Sequence, residues 1–527
     1  MTISPSHTHK LQEIAKIIVE EIEKGNIRNK KDLLKIKKKL ASLYSLPKIP
    51  SNAEILNFVD KEKKEKIKSF LLRKPIRTIS GVAIIAVMTS PHPCPHGRCI
   101  PCPGGPPYSP QSYTGKEPAA LRATRNKYDP YLQVKDRLAQ LEAIGHPTDK
   151  IDLIIMGGTF PARDIFYQKW FVKRCYDAMN GKNARNLEEA KKINEKAKHR
   201  CIGLTIETRP DWCQMQQIDL MLELGATRVE LGAQILDDKV LYEMNRGHTV
   251  FDTIMATRLA KDAGLKVCYH IMPGLPGSSY ENDLESFKKM FRDERFRPDM
   301  LKIYPTLVVK PSILYEKWKK GEYEPLKEED AIDLIAEMKK YVPEWVRIQR
   351  VERDIPSYMI EEGIKKSNLR ELVHKKMKEL GYQCRCIRCR EVGHKYYKEG
   401  KIPKDIELRK IEYLASNGRE IFISLEDREE DLIIAYCRLR IPFKHNEEKV
   451  AIVRELKVHG PMVEIGKRYY DRWQHKGFGK ILMEEAEKIA LRFGKEKLLV
   501  LSGVGAKEYY RKLGYSEYGF YMAKKIS

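Results

Sequence analysis

Three cysteines lie close together in a short segment that is rich in proline and glycine. The segment reads CPHGRCIPCPGG, and Cys94, Cys99 and Cys102 are spaced C-x4-C-x2-C. Three thiolates this close in an irregular loop can hold three irons of a 4Fe–4S cluster, which leaves the fourth iron open to a small chelating molecule. Zinc is the alternative, because the three thiolates and His96 also make a tetrahedral donor set. The loop follows an apolar strand candidate, where structural zinc would have little to cross-link, and this favours the iron–sulfur cluster.

A second segment suited to binding a ligand lies near the C-terminal end of the sequence. It reads QHKGFGK, with Gln474, Gly477 and Gly479, and it precedes the amphipathic stretch ILMEEAEKIALRFG. Glycines let several backbone N–H groups turn toward one anion at the start of a helix, and this arrangement suits a pyrophosphate. A Gly-x-Gly pair alone is weak evidence, so the surrounding sequence must decide its meaning.

The charge of the chain indicates a polyanionic partner. Its 527 residues include 98 Lys and Arg against 73 Asp and Glu, a formal net charge of +25. Nucleic acid is favoured over a membrane surface, and the alternative is the Lys- and Glu-rich surface of a heat-adapted protein. The longest apolar run, Gly81 to Met88, is far shorter than the about 20 residues that span a bilayer, and no signal peptide is recognised. We therefore expect a cytoplasmic protein without a membrane partner.

The eleven cysteines favour metal binding over disulfide bonds. Six of them form two tight clusters, the loop above and Cys384, Cys386 and Cys389, which are spaced C-x-C-x2-C. The other five stand singly among apolar residues and are expected to be buried thiols. An odd total with such clustering is typical of a reducing compartment.

Composition and periodicity divide the chain into four parts. Residues 1–75 are predicted to be a basic helical segment, and residues 1–80 carry nineteen Lys or Arg against nine Asp or Glu, which favours a nucleic-acid platform. Residues 76–350 alternate apolar strands with helices, and residues 351–402 form a linker that contains the second cysteine cluster. Residues 403–527 change to consecutive strands followed by a helix, a strand and a helix, which predicts a separate α+β domain.

The second part is predicted to be a partial (β/α)6 barrel of the TIM type, because six strand candidates alternate with helical stretches. The strand candidates are 82–88, 151–156, 202–206, 228–231, 266–271 and 301–304. Functional side chains of such barrels gather at the C-terminal ends of the strands. The residues at those ends include the cysteine loop, Gly157-Gly158-Thr159, Glu207 and Gln234. We therefore expect the chemistry at this edge of the sheet.

The cysteine loop after the first strand and Gly157-Gly158-Thr159 after the second resemble radical S-adenosylmethionine (SAM) enzymes. The spacing here is C-x4-C-x2-C, whereas C-x3-C-x2-C is usual in that superfamily. The resemblance implies a 4Fe–4S cluster on the three cysteines of the loop and an electron donor, with reductive cleavage of bound SAM giving a 5′-deoxyadenosyl radical. It also implies SAM contacts at Gly157, Gly158 and Thr159, with Glu207 and Gln234 as further candidates.

The C-terminal order Q-x-x-G-x-G followed by YYRKLGY resembles the GNAT acetyltransferases. The resemblance implies that the strand before the loop pairs its backbone with the pantetheine arm of acetyl-CoA and that the loop meets the pyrophosphate. The implied acetyl-CoA residues are Glu455, Leu456, Lys457, Val458, Gln474, Gly477, Phe478, Gly479, Lys480 and Tyr510. Tyr510 near the thioester sulfur would act as general acid for the departing thiolate. Core packing is the alternative for Tyr509 and Tyr510, and Glu464 is a candidate base.

The two halves together resemble the catalytic-subunit family of the Elongator complex, in its single-chain archaeal form, over essentially the whole chain. The matching segments include QSYTGKEPAALRATRNKYDPYLQ, CIGLTIETRPDWC, VELGAQ and HIMPGLPG. The resemblance implies carboxymethylation of C5 of the wobble uridine in the anticodon stem-loop of tRNA. The radical would take a hydrogen from the acetyl methyl group, the carbon radical would add to C5, and water would cleave the thioester. This chemistry implies that the radical former and the CoA binder share a cleft.

Five further residues are candidates for contacts with ligands. Lys150 matches a family position that contacts acetyl-CoA from the barrel side and is a catalytic candidate, although it precedes the second strand, away from the expected catalytic edge. Arg122, Arg125, Lys127 and Tyr128 follow the cysteine loop, where cations can meet phosphates and a tyrosine can stack on a base. A structural role is the alternative for each of these four.

The resemblance points to a structural zinc at Cys384, Cys386 and Cys389. Three thiolates need a fourth ligand, and His394 is the nearest candidate in sequence, with a residue distant in sequence as the alternative. Reduced thiols without metal are the other interpretation of this cluster.

Two rival functions come from other classes. A protein lysine acetyltransferase would use only the C-terminal domain, without SAM or reductant, and would leave the cysteine loop and the basic N-terminal segment without a role. A tRNA-binding scaffold with decayed cofactor sites would hold no iron chromophore, and the intact cysteine triad and glycine loop argue against it. A requirement for other Elongator subunits is left open.

Overall fold

A curled parallel sheet forms the central part of the protein. The computed structural model describes residues 5–60, 63, 67, 78–353, 355–443, 449–460 and 477–526. The sheet contains β1 (Val82–Met88), β2 (Lys150–Met156), β3 (Arg200–Thr208), β4 (Arg228–Gln234), β5 (Lys266–Ile271), β6 (Met300–Ile303) and β8 (Arg347–Val351), while β7 (Val308–Val309) pairs with β9 (Ile360–Glu362) outside it. All neighbours in the sheet are parallel and follow chain order. The predicted partial barrel is confirmed.

The barrel has seven parallel strands rather than the six that the sequence predicts. The additional strand, β8, pairs with β6 at the end of the sheet. Its sequence RIQRV mixes charged and apolar residues, and only Ile348 and Val351 are buried in it. An edge strand with one half-exposed face lacks the continuous apolar run by which buried parallel strands are recognised.

Helices connect the strands of the barrel. They span Pro118–Arg125, Pro130–Ala143, Ile165–Asn180, Leu187–Asn194, Met215–Leu224, Asp238–Glu243, Val250–Asp262, Tyr280–Arg292, Ile313–Lys319 and Glu328–Lys340. Local chemistry sets their ends: Asp129 and Asp164 cap two N-termini by accepting backbone N–H groups, and Gly181 ends a helix with a φ of 72°. Within the ranges given above, no helix is both long and apolar enough to cross a membrane.

The basic N-terminal segment is helical. Its described helices are Pro5–Glu23, Lys30–Leu43 and Asn52–Asn57, and most of residues 61–77 lie outside the described part. Ile18 and Leu33 are buried in a small core that these helices share. The second helix exposes Lys31, Lys35, Lys38 and Lys39 to solvent. The segment therefore combines an apolar core with a dense basic face.

The C-terminal domain is built on a second sheet of seven strands. They are β10 (Glu407–Leu414), β11 (Gly418–Asp427), β12 (Leu432–Pro442), β13 (Val450–Val458), β14 (Lys497–Val500), β15 (Ser516–Tyr518) and β16 (Tyr521–Lys525), in the order β10-β11-β12-β13-β14-β16-β15. The helices Phe478–Arg492 and Lys507–Arg511 belong to this domain, and Leu369–Glu379, Ile387–Arg390 and Val392–Glu399 connect it to the barrel. The predicted separate α+β domain is confirmed.

The C-terminal domain packs against the edge of the barrel where the strands begin. Arg454 of β13 donates to both oxygens of Asp299, at 2.6 and 2.8 Å, and to the carbonyl oxygen of Leu265, and these two residues directly precede β6 and β5. Arg440 pairs with Asp262 at 2.6 Å, also before β5. The cysteine loop follows β1 and lies at the other edge, about 20 Å away at the rise of about 3.3 Å per residue of a strand. The two predicted sites therefore lie at opposite edges of the same strands, with the barrel interior between them.

Candidate active site

A cavity of about 220 Å³ lies at the edge of the barrel where the strands end. Its walls come from the cysteine loop and from inward-pointing side chains, among them Glu207 of β3, Gln234 of β4, His270 of β5 and Lys302 of β6. Parallel strands end at the same edge, so residues that are far apart in sequence line one cavity. The cavity occupies the edge at which the sequence predicts chemistry.

The three loop cysteines are buried, and Cys99 and Cys102 lie at the wall of this cavity. The Gln111 side-chain amide donates to Cys102 Sγ at 2.9 Å. The Arg246 guanidinium lies 3.6 Å from Cys99 Sγ. Three buried thiols from one loop, one of them beside a guanidinium, fit the ligands of an iron–sulfur cluster.

His96 belongs to the same loop, and its Nε2 lies 3.1 Å from Cys99 Sγ. Burial, together with Arg209 and Arg246, lowers the pKa of His96 to about 3, so its imidazole is neutral at physiological pH. A neutral imidazole beside thiols also fits zinc. The described groups of three or more donors whose atoms all lie within 4.8 Å of one another do not include these loop residues, whereas a single tetrahedral zinc holds its sulfurs about 3.8 Å apart.

Gly157 and Gly158 form a turn beside the cysteine loop. Both have positive φ angles, 128° and 89°, which favour glycine. A Cβ atom at Gly157 would collide with Thr89 Oγ1, and one at Gly158 would lie 3.8 Å from Cys94 Sγ. Thr159 Oγ1 lies 3.5 Å from the same sulfur. Backbone without side chains, placed next to a cluster ligand, fits the predicted contact with the amino group of SAM.

Replacing Gly157 with alanine is expected to weaken SAM binding about tenfold, because the collision with Thr89 and a positive-φ cost of about 1–2 kcal/mol would displace the turn. Gly181→Ala is the matched control, since Gly181 also has a positive φ but has open space at its Cβ position and ends a helix outside the cavity. Equilibrium dialysis of labelled SAM against the reconstituted proteins measures the difference. Equal SAM affinities in the two variants would contradict the assignment.

Glu207 and Gln234 both line the cavity. Glu207 accepts a hydrogen bond from the Tyr113 hydroxyl at 2.9 Å. Gln234 has a φ of 66°, a left-handed conformation that is uncommon for residues other than glycine and is frequent at functional sites. Its buried side-chain oxygen has no hydrogen-bond partner among the described residues. A buried acceptor without a partner fits a hydroxyl donor supplied by a ligand such as SAM.

A chain of charged side chains runs through the barrel interior and was missed by the sequence analysis. From the amino edge toward the cavity its contacts are Asp152–Arg228 at 3.1 Å, Arg228–Glu230 at 3.3 Å, Glu230–His270 at 2.9 Å, Glu230–Lys302 and Lys302–Glu207 at 3.5 Å. Burial opposes these charges, but Lys302 and His270 hold the pKa of Glu230 well below its usual range. Glu230 in turn raises the pKa of Lys302 despite its burial. The pair therefore stays charged at neutral pH.

The predicted acetyl-CoA residues come together in the C-terminal domain. β13 pairs with β14 only through its first four residues, so Glu455–Val458 have no β14 partner in the described chain. Gly477 caps the helix Phe478–Arg492 with a φ of 87°. A Cβ atom at Gly479 would lie 3.7 Å from the Leu456 side chain. The N-terminus of this helix, whose first turn also contains Phe478 and Lys480, thus lies beside the opened strand edge, as predicted for a bound pyrophosphate and arm.

Tyr510 and Tyr509 have different surroundings. Tyr510 packs in the core of the domain beside Tyr515, and burial raises its pKa. Tyr509 is 41% exposed, and its hydroxyl lies against Gly479. Tyr510 therefore fits the core-packing interpretation. Tyr509 is the tyrosine beside the glycine loop, and the sequence analysis did not single it out for that position. Gln474 and Glu464 lie outside the described residues.

Lys150 is the first residue of β2, at the edge against which the C-terminal domain packs. Its register partner on β3 is Arg200, and a Cβ atom at Gly505 of the C-terminal domain would lie 3.0 Å from the Arg200 backbone. Burial lowers the pKa of Lys150. Lys150 is thus remote from the cysteine loop but close to the interface between the two domains.

The four predicted RNA contacts differ in exposure. Arg122 is buried and donates to a carbonyl oxygen of β1 at 2.6 Å, which contradicts its predicted contact with phosphate. Arg125 is exposed but pairs with Asp136 at 2.6 Å. Lys127 is exposed and Tyr128 is half-buried, and both have left-handed φ angles of 51° and 58°. These last two stay candidates for contacts with RNA.

The second cysteine cluster is tight enough for a single metal ion. The sulfur atoms of Cys384, Cys386 and Cys389 all lie within 4.8 Å of one another. Tetrahedral zinc with Zn–S bonds of about 2.3 Å holds its sulfurs about 3.8 Å apart, so the cluster fits zinc after a small contraction. The Lys339 ammonium lies 3.5 Å from Cys384 Sγ and balances thiolate charge. His394 instead lies 3.8 Å from a Glu391 oxygen, outside this group of donors, which contradicts its prediction as the fourth ligand.

Four family models match the chain. They are the ELP3 N-terminal domain over residues 11–79, the Radical SAM superfamily over 92–290, the Radical_SAM C-terminal domain over 298–379 and the Acetyltransferase (GNAT) family over 388–515. The Radical SAM match implies a 4Fe–4S cluster and SAM, and this favours iron over zinc at the cysteine loop. The GNAT match implies acetyl-CoA as the ligand of the C-terminal domain.

Proteins similar over nearly the whole chain carry the same combination. The chain is 54% identical to the tRNA uridine(34) acetyltransferase of Methanocaldococcus jannaschii, over 97% of this chain and 96% of that protein. It is 43% identical to Elongator complex protein 3 of Homo sapiens, over 98% and 96%. The solved Methanocaldococcus infernus Elp3 with an N-terminal deletion superposes with a TM-score of 0.76 at 52% identity, and covers 85% of this chain and 100% of that chain. The chain therefore belongs to the Elp3 family, in which a radical SAM half-barrel is followed by a GNAT domain.

Proposed function

We propose that this protein carboxymethylates C5 of the wobble uridine of tRNA, with acetyl-CoA, SAM and water as co-substrates. The observation that carries the proposal is the set of buried ion pairs that joins the two cofactor domains. Buried ion pairs such as Arg454–Asp299 fix β13 against the edge where β6 begins, while the cysteine loop occupies the other edge of the same strands. Two independent enzymes would not need this fixed alignment. Relatives named tRNA uridine(34) acetyltransferase support wobble uridine as the substrate.

The radical cofactors, when bound, supply a radical that can remove a hydrogen atom from the acetyl methyl group. The protein's task is to hold the reactants. The cysteines of the loop hold the irons, Gly157 and Gly158 contact the SAM amino group, and Gln234 accepts a hydrogen bond from SAM. On the C-terminal domain, Glu455–Val458 pair with the pantetheine arm.

Lys150 supports this arrangement from the barrel side of the interface. Its position at the start of β2 favours a contact with acetyl-CoA over a contact with SAM. A buried lysine with a lowered pKa can still pair with a phosphate, because a nearby anion favours the charged ammonium form. We therefore keep Lys150 as an acetyl-CoA ligand.

The tRNA partner is supported by charge. The exposed lysines of the second N-terminal helix form a basic face, and Lys127 and Tyr128 lie next to the barrel strands on the same chain. Phosphate contacts by lysines position an RNA, whereas a stacked tyrosine contacts a base. We propose that the N-terminal segment holds the tRNA body while the anticodon stem-loop reaches the cavity.

The test is one anaerobic assay of the iron-reconstituted protein with bulk tRNA, SAM, acetyl-CoA and dithionite. Mass spectrometry of the digested tRNA should show carboxymethyluridine only when both cofactors are present. Acetyl transfer to a basic peptide without SAM, and without any change in the tRNA, would favour the lysine acetyltransferase instead. Bound tRNA with neither an iron chromophore nor product would favour a scaffold.

We propose a structural zinc at Cys384, Cys386 and Cys389, with the fourth ligand supplied by a group other than His394. The expected result is one zinc per chain by elemental analysis and its loss in Cys386→Ala. Cys437→Ala is the control, because Cys437 is a buried thiol of the C-terminal domain outside the cluster. Absence of zinc from the wild type, or its retention in Cys386→Ala, would contradict this proposal.

The unpaired thiols support a reducing compartment. All eleven cysteines are unpaired, and two clusters of reduced thiols need a reducing environment. We propose a cytoplasmic location and an electron donor from that compartment. Pull-down experiments would test whether the protein assembles with other Elongator subunits.

A further inference from the structure

A histidine and a buried carboxylate form a pair in the cavity wall that the assignments above do not use. His270 lies on β5 with its Nε2 2.9 Å from Oε2 of Glu230 on β4. Glu230 is fully buried, whereas the His270 side chain is 19% exposed and lines the cavity. We propose that His270 is the general base that activates water for cleavage of the thioester; this rests on the proposed function.

The charges around Glu230 determine the protonation pattern of His270. Glu230 contacts Lys302 and lies 3.3 Å from Arg228, so it stays ionised. An ionised carboxylate can only accept hydrogen bonds, so Nε2 of His270 must carry the proton. Nδ1 is then the basic nitrogen, and no described residue hydrogen-bonds to it. This arrangement leaves one free lone pair on a side chain that the cavity exposes.

The reacting thioester belongs in this cavity. The acetyl methyl group must reach the radical generated at the cysteine loop, and the carbonyl carbon is one bond away from that methyl group. Cys99, Cys102 and His270 line the same cavity. After the new carbon–carbon bond forms, the thioester carbonyl would therefore lie in the cavity that His270 lines.

The step balances without a further oxidant or reductant. Nδ1 removes a proton from water while the water oxygen bonds to the carbonyl carbon, and the C–S bond breaks with its electron pair leaving on sulfur. The thiolate takes a proton from solvent water, and His270 releases its proton to solvent, so the base is restored. The Lys302 ammonium, beside Glu230, stabilises negative charge that develops in the cavity.

Other basic groups near the cavity do not fit this role. Glu207 already accepts from Tyr113 and pairs with Lys302. His96 is adjacent to Cys99 Sγ, within the cluster loop. His248 is buried, and burial together with Arg246 lowers its pKa to about 2. His270 is the only histidine among the described residues that line the cavity.

The test compares His270→Gln with the wild type in the reconstituted enzyme, with labelled acetyl-CoA and tRNA. We expect 5′-deoxyadenosine formation to fall less than twofold and free carboxymethyluridine to fall at least about 100-fold, the range that loss of a general base produces. A uridine adduct that still carries CoA should accumulate on the tRNA. His270→Ala with added imidazole should recover part of the release. His199→Gln, at a histidine that bonds a backbone carbonyl outside the cavity, is the control.

A second readout needs no cluster, SAM or substrate. In protein labelled with 15N-histidine, the signal that disappears in His270→Gln should be that of an imidazole whose hydrogen-bonded proton is on Nε2 and whose Nδ1 carries none. A signal protonated on Nδ1 would overturn the proposal. So would wild-type release of carboxymethyluridine by His270→Gln, or a parallel loss of deoxyadenosine and product without adduct, which would place His270 in the radical step. If the wild type itself forms no modified uridine, the proposed function fails, and that result is separate from these.

Discussion

Cys99→Ala is expected to abolish the iron chromophore and to lower both SAM cleavage and uridine modification by more than about 100-fold. Cys99 is one of three buried thiols in the loop, and Arg246 lies 3.6 Å from its sulfur. Changes in residues that only support metal ligands already cost about 10–100-fold, so the loss of a ligand must cost more. Absorption spectra and iron content after anaerobic reconstitution measure the first effect, and quantification of 5′-deoxyadenosine measures the second.

Cys175→Ala is the matched control for this experiment. Cys175 is also a fully buried thiol of the barrel, but it lies on the helix Ile165–Asn180 and belongs to the apolar core. It should keep the cluster and most of the activity. Acetyl-CoA affinity should be unchanged in both variants, because the C-terminal domain is intact. A Cys99→Ala protein that retained a full cluster and cleaved SAM would show that the irons are held elsewhere.

Asp299→Asn is expected to lower the free energy of unfolding by about 3–5 kcal/mol, the usual cost of removing one partner from a buried ion pair. Asp299 is fully buried between the barrel and the C-terminal domain, where Arg454 donates to both of its oxygens and Lys261 lies 3.8 Å away. The variant leaves two buried cations, Arg454 and Lys261, without this carboxylate. Calorimetry measures the loss, and hydrogen exchange should place it at the starts of β5 and β6.

The pH dependence of this effect has a definite sign. Burial opposes ionisation of Asp299, but Arg454 and Lys261 hold its pKa well below the ordinary value of about 3.9. The stabilisation is therefore present above about pH 4 and is lost as the pH falls through the folded-state pKa, so wild type and variant should converge in acid. Asp293→Asn is the control, because Asp293 pairs with the exposed Arg295. Equal melting temperatures of the Asp299→Asn and Asp293→Asn variants at neutral pH would contradict the account.

The sequence predicted the elements whose signals are local. Strands such as VAIIAVM are continuous apolar runs, and the glycine pair after β2 and the cysteine spacing are visible without a structure. The same signals place the cavity at the end of the strands, since all parallel strands end together. The strand β8 was missed because a half-exposed edge strand has no such run.

Side-chain partners could not be predicted in this way. Arg122 looks like a free cation in the sequence, and only the fold shows that it bonds a β1 carbonyl oxygen in the interior. His394 is near the second cysteine cluster in sequence but lies beside Glu391 in space. The ion pairs inside the barrel left one recoverable signal, charged residues within otherwise apolar strands, as with Glu230 in RVELGAQ and Lys302 in MLKI.

The relative position of the two domains was also beyond the sequence. The motifs imply two cofactors on one chain, and a shared cleft is the simplest arrangement that lets them react together. The contacts of Arg454 and Arg440 place the C-terminal domain at the edge where the strands begin, so the barrel interior separates the two sites. Such long-range packing depends on a few buried arginines, and each of them resembles a surface cation in the sequence.

The central claim is that the radical cofactors and acetyl-CoA act in one reaction. The most direct test supplies acetyl-CoA with a fully deuterated methyl group to the reconstituted protein, with SAM, dithionite and tRNA. The account predicts one deuterium in 5′-deoxyadenosine and two in the carboxymethyl group of the uridine. Deuterium-free deoxyadenosine alongside a uridine product that retains all three deuterons would contradict it, because the methyl group would then have been transferred without hydrogen abstraction.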